Sequence, residues 1–201
     1  MTHDPFNNAR ALFKMFPDPE AQAKKVSQIS TAVFSSNGEH RYCLVRAWDF
    51  TKPRVCYISL NPSVADAKVN DATVRKLIGF ATRHGFGSFY LVNLFSVIMT
   101  ESKQLPKEYD ELVGDDLLDW ITLACLSTHA TCICWGNTAD LECWRDDEVK
   151  CGEWNQAKYV LEHLAELGIK PMCLAMTKSG FPSHPSRLGY TDKMIPFEER
   201  R

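Results

Sequence analysis

No apolar run in this 201-residue chain is long enough to span a bilayer, and Met1-Thr-His-Asp-Pro-Phe-Asn-Asn8 lacks the cationic-then-apolar order of a secretory leader. A soluble, cytoplasmic protein without membrane contact is the expectation. No C-x-x-C pair occurs among the eight cysteines, so the ligand spacing of zinc and iron–sulfur sites is missing. Cys56, Cys132, Cys134 and Cys173 lie in apolar strand-like runs, where a thiol packs as a small hydrophobe in a reducing compartment. Of Cys43, Cys125, Cys143 and Cys151, only Cys143 and Cys151 with a histidine offer a loop metal site, against the plainer reading of solvated or packed thiols.

Charge of one sign is also scarce. The formal net charge is −2, so no overall field draws the protein to a polyanion, and DNA contact has to rest on a local patch. Asp66, Asp71, Glu111, Asp115 and Asp116 supply carboxylates, yet there is neither a Walker glycine loop nor a carboxylate cluster at one strand end, which excludes a nucleoside triphosphatase. No repeat or low-complexity linker divides the chain. With 45% hydrophobic residues it can bury one substantial core, and a single α/β domain over 1–201 is expected.

What is present begins with Val55-Cys-Tyr-Ile-Ser-Leu60, a buried-strand pattern that stops at Asn61-Pro62-Ser63. In open α/β sheets, functional groups sit just beyond the carboxyl ends of such strands. Helical spacing over 5–16 ends at Pro17-Asp18-Pro19, giving an N-terminal helical segment within 1–29. Two alternating runs around Ser36-Asn-Gly-Glu39 predict a β-hairpin over 30–50 that covers one sheet edge. A helix over 73–84 follows, with Asp71 as its N-cap and Gly85 as its stop, then a strand over 88–94. Another helix is expected over 109–127, a strand over 131–135, a polar loop over 137–152, a helix over 154–167 and a strand over 170–176. The tail from Thr177 is rich in Pro, Gly and Ser without periodicity. Four strands separated by helices imply parallel crossovers and a three-layer α/β/α sandwich with a four-stranded parallel central sheet.

The strand ends read, in order, Asn61-Pro62-Ser63, Asn93, Trp135-Gly136-Asn137 and His184-Pro185-Ser186-Arg187-Leu188. Over residues 54–190 this resembles the uracil-DNA glycosylase superfamily, whose strands end in G-Q-D-P-Y or G-I-N-P-G, Leu-Leu-Asn, Trp-Gly and H-P-S-P-L. The chain also looks like a member of an uncharacterised bacterial and phage domain family, marked by Ile-Ser-Leu-Asn-Pro-Ser, then Ala-Asp, then Asp-x-Thr before a helix. That second likeness supplies relatives without an activity.

The first resemblance implies roles, each beside a plainer reading. Asn61 matches the water-positioning residue, Asp in the uracil-specific branch and Asn in the mismatch branch; otherwise Asn61-Pro62 starts a turn. His184 matches the donor to a pyrimidine oxygen as charge builds on the departing base; otherwise it is a solvated loop histidine. Asn93 matches the amide that reads a flipped base, unless it only satisfies nearby backbone. Trp135 and Gly136 read as structural, with Asn137 facing the cleft. Leu188 corresponds to a side chain wedged into the duplex, and Ser63 and Ser186 to phosphate donors. Arg187, Lys178 and Lys193 are the local positive patch, or a solvated surface. Asp66 is a substitute base and Asp71 a cap. Phe80, Phe86 and Phe95 are candidates for stacking on the base, with core packing the better explanation of the first two.

Two departures from the family pattern bear on substrate. Ser63 stands where the uracil-specific branch has the Tyr that blocks the space beside C5, which admits a 5-substituted pyrimidine. Ser59-Leu60 replaces the Gly before the catalytic position. The resemblance therefore implies a monofunctional DNA glycosylase without metal or organic cofactor. Its rivals are an enzyme acting on a free nucleoside or nucleotide, and a non-catalytic module that recognises modified DNA or a protein partner.

Overall fold

Successive residues of β3 (Arg54–Ser59) enter different apolar clusters on the two faces of one sheet. Val55 and Tyr57 pack with Leu77 and Phe80, while Cys56 and Ile58 pack with Ile121 and Val160. Both faces are covered, which is why this run carries no polar alternation. The computed structural model describes residues 28–65, 68–100, 105–106, 109–137, 155–190 and 193–198. The helix expected over 5–16, Asp66, Cys143, Cys151 and the 137–152 loop beyond Asn137 lie outside the described residues.

The other strands are β1 (Ile29–Phe34), β2 (Arg41–Ala47), β4 (Ser88–Asn93), β5 (Ala130–Ile133), β6 (Met172–Cys173) and β7 (Ile195–Pro196). They form a seven-stranded mixed sheet in the order β1-β2-β4-β3-β5-β6-β7. β3 pairs in parallel with β4 and β5, and β5 with β6. Two features differ from a four-stranded sheet with a separate hairpin. The hairpin is continuous with the sheet, because β2 pairs antiparallel with β4 through Leu44↔Leu91 to Ala47↔Ser88. The tail contributes β7, antiparallel to β6, a strand too short to show periodicity.

Among the described residues, four α-helices lie between these strands. α1 (Ala72–Arg83) is capped where the Asp71 carboxylate accepts from the Val74 N–H at 2.8 Å, and Gly85 supplies the left-handed exit at φ 82°. The helix expected over 109–127 is split into α2 (Tyr109–Leu112) and α3 (Leu117–Leu126). At the break, the Gly114 N–H donates to Ser96 Oγ, and a Cβ there would lie 2.6 Å from the Tyr42 hydroxyl. Close packing thus overrides helical periodicity. α4 (Gln156–Glu166) starts at Asn155, which accepts from the Lys158 N–H. α1 covers one face of the sheet; α3 and α4 cover the other.

Cys43, Cys56, Cys125, Cys132, Cys134 and Cys173 are free and buried. Burial pushes the Cys43 thiol up to about 12 and the Cys173 thiol to about 11. They serve as packing atoms. Among the described residues no helix is long and apolar enough to cross a membrane, and no group of three His, Cys, Asp or Glu gathers as metal ligands.

Candidate active site

β3 ends at Ser59, and the chain then leaves the sheet through Leu60 and Asn61. The Asn61 amide nitrogen donates to the Met99 carbonyl at 2.7 Å and to the Pro62 carbonyl at 2.9 Å. The Met99 N–H in turn donates to the Pro62 carbonyl. With both amide hydrogens held by carbonyls, the amide has one orientation, and Oδ1 is left as the acceptor. Asn61 therefore presents an oriented oxygen rather than a loose turn side chain.

The loop that follows is held from below by β2. Arg41 is 2% exposed, and its guanidinium donates to the Ala65 carbonyl at 2.6 Å and to Asn93 Oδ1 at 3.4 Å. No carboxylate pairs with it among the described residues. Burial lowers its pKa to about 10, partly offset by Asp71, so it stays charged at neutral pH. Arg46, five residues on, donates to Asn70 Oδ1 at 2.7 Å and to the Val69 carbonyl at 3.3 Å. Two buried arginines of one strand thus grip both halves of the Asn61–Asp71 loop. Reading the sequence locally misses them, because each lies more than 20 residues from the loop atoms it holds.

His184 is brought up by the tail. Gly136 adopts φ 86°, donates its N–H to the Pro182 carbonyl at 2.9 Å, and would place a Cβ only 3.3 Å from His184 Cβ. The close approach of the β5 exit to the histidine therefore requires glycine. The Ser186 N–H faces His184 Nδ1 at 3.4 Å, and Ser186 Oγ lies 2.7 Å from the same nitrogen. A backbone N–H can only donate, so Nδ1 accepts and the neutral ring carries its proton on Nε2. That leaves an N–H donor, without a partner among the described residues, on a ring that lines the cleft.

Asn61, Ser63, Trp135, Gly136, Asn137, His184, Ser186 and Arg187 come together around one cleft of about 540 Å³ at the carboxyl ends of β3 and β5. Met99, Thr100, Thr73, Thr177 and Ser183 complete much of its wall. Trp135 is the aromatic among the described lining residues, whereas Phe80 and Phe95 are core and Phe86 packs beneath α1. Asn93 does not line the cleft: it is 1% exposed beside Arg41, and its amide nitrogen is buried without a partner. Leu188 packs half-buried on the cluster beneath α1, and its carbonyl accepts from Lys76 Nζ at 2.7 Å. Lys178 stands exposed on the turn next to Thr177, outside the wall, and Lys193 lies at a second cavity.

Burial lowers the pKa of His184 below its usual 6.5; Arg187 adds to this, and Asp71 opposes it. The unfolded chain therefore takes up this proton first as pH falls. Stability linked to His184 is full above 6.5 and weakens as pH drops past that value toward the folded midpoint. Histidine-resolved NMR should show a midpoint below 6.5 and an Nε2–H neutral ring. A midpoint above 6.5 would contradict this environment.

The model of a family described as "Protein of unknown function (DUF1643)" matches residues 41–186, well over half of the chain. No curated protein and no solved structure matches it.

Proposed function

We propose, for a chain that belongs to the family described as a protein of unknown function (DUF1643), hydrolysis of the N-glycosidic bond of a pyrimidine in DNA. The observation that carries this reading is the pairing, across one cleft, of an oriented acceptor with a neutral imidazole donor. Asn61 Oδ1 accepts from a water and aims its oxygen at C1′ of the sugar. An amide accepts hydrogen bonds but hardly takes up protons, so the step relies on a sugar cation forming early, and turnover is slow. As the C1′–N1 bond breaks, its electron pair passes to the base, and His184 Nε2–H donates to the pyrimidine oxygen where that charge collects. The water oxygen bonds to C1′, its proton leaves to solvent or to the base, and the products are a free base and an abasic site.

The fold reading that accompanies this is of the uracil-DNA glycosylase kind, supported by the four strand-end motifs and by a cleft at the carboxyl ends of β3 and β5. Ser63 in the wall, in place of a bulky aromatic, leaves room beside C5 for a methyl or hydroxymethyl group. The cleft volume falls in the usual range for small-ligand sites, about 300–1,000 Å³. The reading is of a monofunctional enzyme that leaves the backbone intact, with no lysine among the described lining residues to offer a Schiff base.

The test is base release from oligonucleotides carrying uracil, a mismatched thymine or 5-hydroxymethyl pyrimidines. A 5-substituted base should be released, leaving a strand that breaks only after heat or alkali. Release of plain uracil alone would remove the assignment for Ser63. Hydrolysis of free nucleosides but of no oligonucleotide would replace DNA with a small-molecule substrate.

A further inference from the structure

A second cavity, of about 710 Å³, opens at the other end of the sheet, where β5 and β6 begin and α1 ends. Arg83, Lys170 and Lys193 line it together with His84 and His129, and no carboxylate is among its lining residues. In a chain of net charge −2, this wall carries three cations and no acid.

α1 connects this cavity to the cleft and carries further cations between them. α1 begins beside Thr73 in the cleft wall and ends at Arg83 in the second cavity, and it carries Arg75, Lys76 and Arg83 with no acidic residue. Its N-cap, Asp71, is occupied by the Val74 N–H. At the cleft end stands Arg187, and the next carbonyl, of Leu188, accepts from Lys76. Lys76 Nζ lies 4.4 Å from the centre of the Tyr190 ring, and the Arg83 guanidinium carbon 4.0 Å from it. Gly79 makes room for that ring: a Cβ there would fall 2.4 Å from it. Tyr190 thus spaces the two cations along the helix instead of neutralising them.

The pairing pattern sets this face apart. Among the described residues, Lys52 pairs with Asp49 and Lys158 with Glu162, whereas Lys76, Arg83, Lys170, Arg187 and Lys193 pair with no carboxylate. On the opposite face, α3 carries Asp119, follows Asp115 and Asp116, and has no Lys or Arg. α1 thus presents basic residues without an acid, whereas on the other face Lys158 of α4 is paired with Glu162.

We propose that the α1 face, from Arg187 to the second cavity, is a track for the phosphodiester backbone of DNA, and that the second cavity seats phosphates remote from the reacting nucleotide. This rests on the reading of the cleft as a site for a base in DNA. The twelve residues of α1 span about 18 Å between the cleft and the second cavity.

The experiment is equilibrium binding of the full chain to an undamaged 30-base-pair duplex across a salt series, with wild type compared with the triple variant Arg83→Gln, Lys170→Gln, Lys193→Gln. Each phosphate contact contributes about 0.9 to the slope of log K against log salt, so the triple variant should lose about 2.7 of slope, equally for every sequence. An unchanged slope, or no duplex binding by wild type, overturns the track. Circular dichroism of the variant confirms folding; should it be misfolded, Lys170→Gln with Lys193→Gln, both exposed outside helices, should lose about 1.8, and no loss overturns the track. Base release by wild type from a short oligonucleotide that fills only the cleft tests the other reading separately. Release with an unchanged slope sinks the track alone, and a reduced slope without release sinks the glycosidic reading alone.

Discussion

His184→Ala should lower the rate of base release about 10²–10³-fold while leaving affinity for undamaged duplex within about twofold, because removing one fixed donor to a developing anion costs about 2.7–4 kcal/mol of transition-state stabilisation. The donor is preorganised: Ser186 supplies Nδ1 with hydrogen-bond donors, so the Nε2 proton is in place before substrate arrives. Ser186→Ala leaves the backbone N–H facing Nδ1 and should cost less. His184→Gln, which keeps an N–H donor of similar reach, should recover part of the rate. Single-turnover release separates this from binding. A rate unchanged in His184→Ala would remove the histidine from the chemistry and leave Asn61 without its counterpart across the cleft.

Arg41→Met should reduce base release by about 100-fold with little change in stability, a combination that an ordinary core residue does not give. Two opposing costs decide the stability. A buried guanidinium held at about 10 instead of 12.5 is penalised by about 3 kcal/mol in its charged form, and methionine removes that penalty. The substitution strips the donor from the Ala65 carbonyl and from Asn93 Oδ1, two buried acceptors costing about 1–3 kcal/mol each when left unpaired. The sums nearly cancel, so urea midpoints should move by less than about 2 kcal/mol in free energy. Function does not cancel, because Ala65 is the hold on the loop carrying Asn61 and Ser63, and a displacement of about 1 Å at a reacting group costs about 100-fold. Loss of stability in proportion to loss of rate would make Arg41 structural only.

Six of the side chains picked out as strand-end candidates gather at the cleft, and the reason is local. A buried strand ends where apolar alternation meets Pro or Gly, so Asn61-Pro62-Ser63, Gly136-Asn137 and His184-Pro185-Ser186 announce themselves within a few residues. The cap at Asp71 is legible in the same way. Leu188 is the instructive exception. Its place after His184 is a matter of spacing, but whether it stands free or lies on the core depends on α1 passing beneath it, and Lys76 holds its carbonyl there. Asn93 likewise ends a strand, as expected, yet its neighbour is a guanidinium 52 residues away.

Composition, capping and the period of the apolar residues by themselves determined the α/β class, the positions of α1, α4 and the principal strands, and the strand-end loops that line the cleft, since each depends on neighbours a few residues apart. Tertiary structure alone decided that the hairpin joins the sheet, that a two-residue tail strand pairs Ile195 with Cys173, and that Gly114 breaks a helix against Tyr42. It also placed Arg41 and Arg46 under the loop that carries Asn61 and Ser63. The physical reason is common to all of these. A hydrogen bond or a close packing contact between residues 22 to 72 apart leaves no periodic trace in the chain, because its partners are chosen by the tertiary fold and not by the residues beside them.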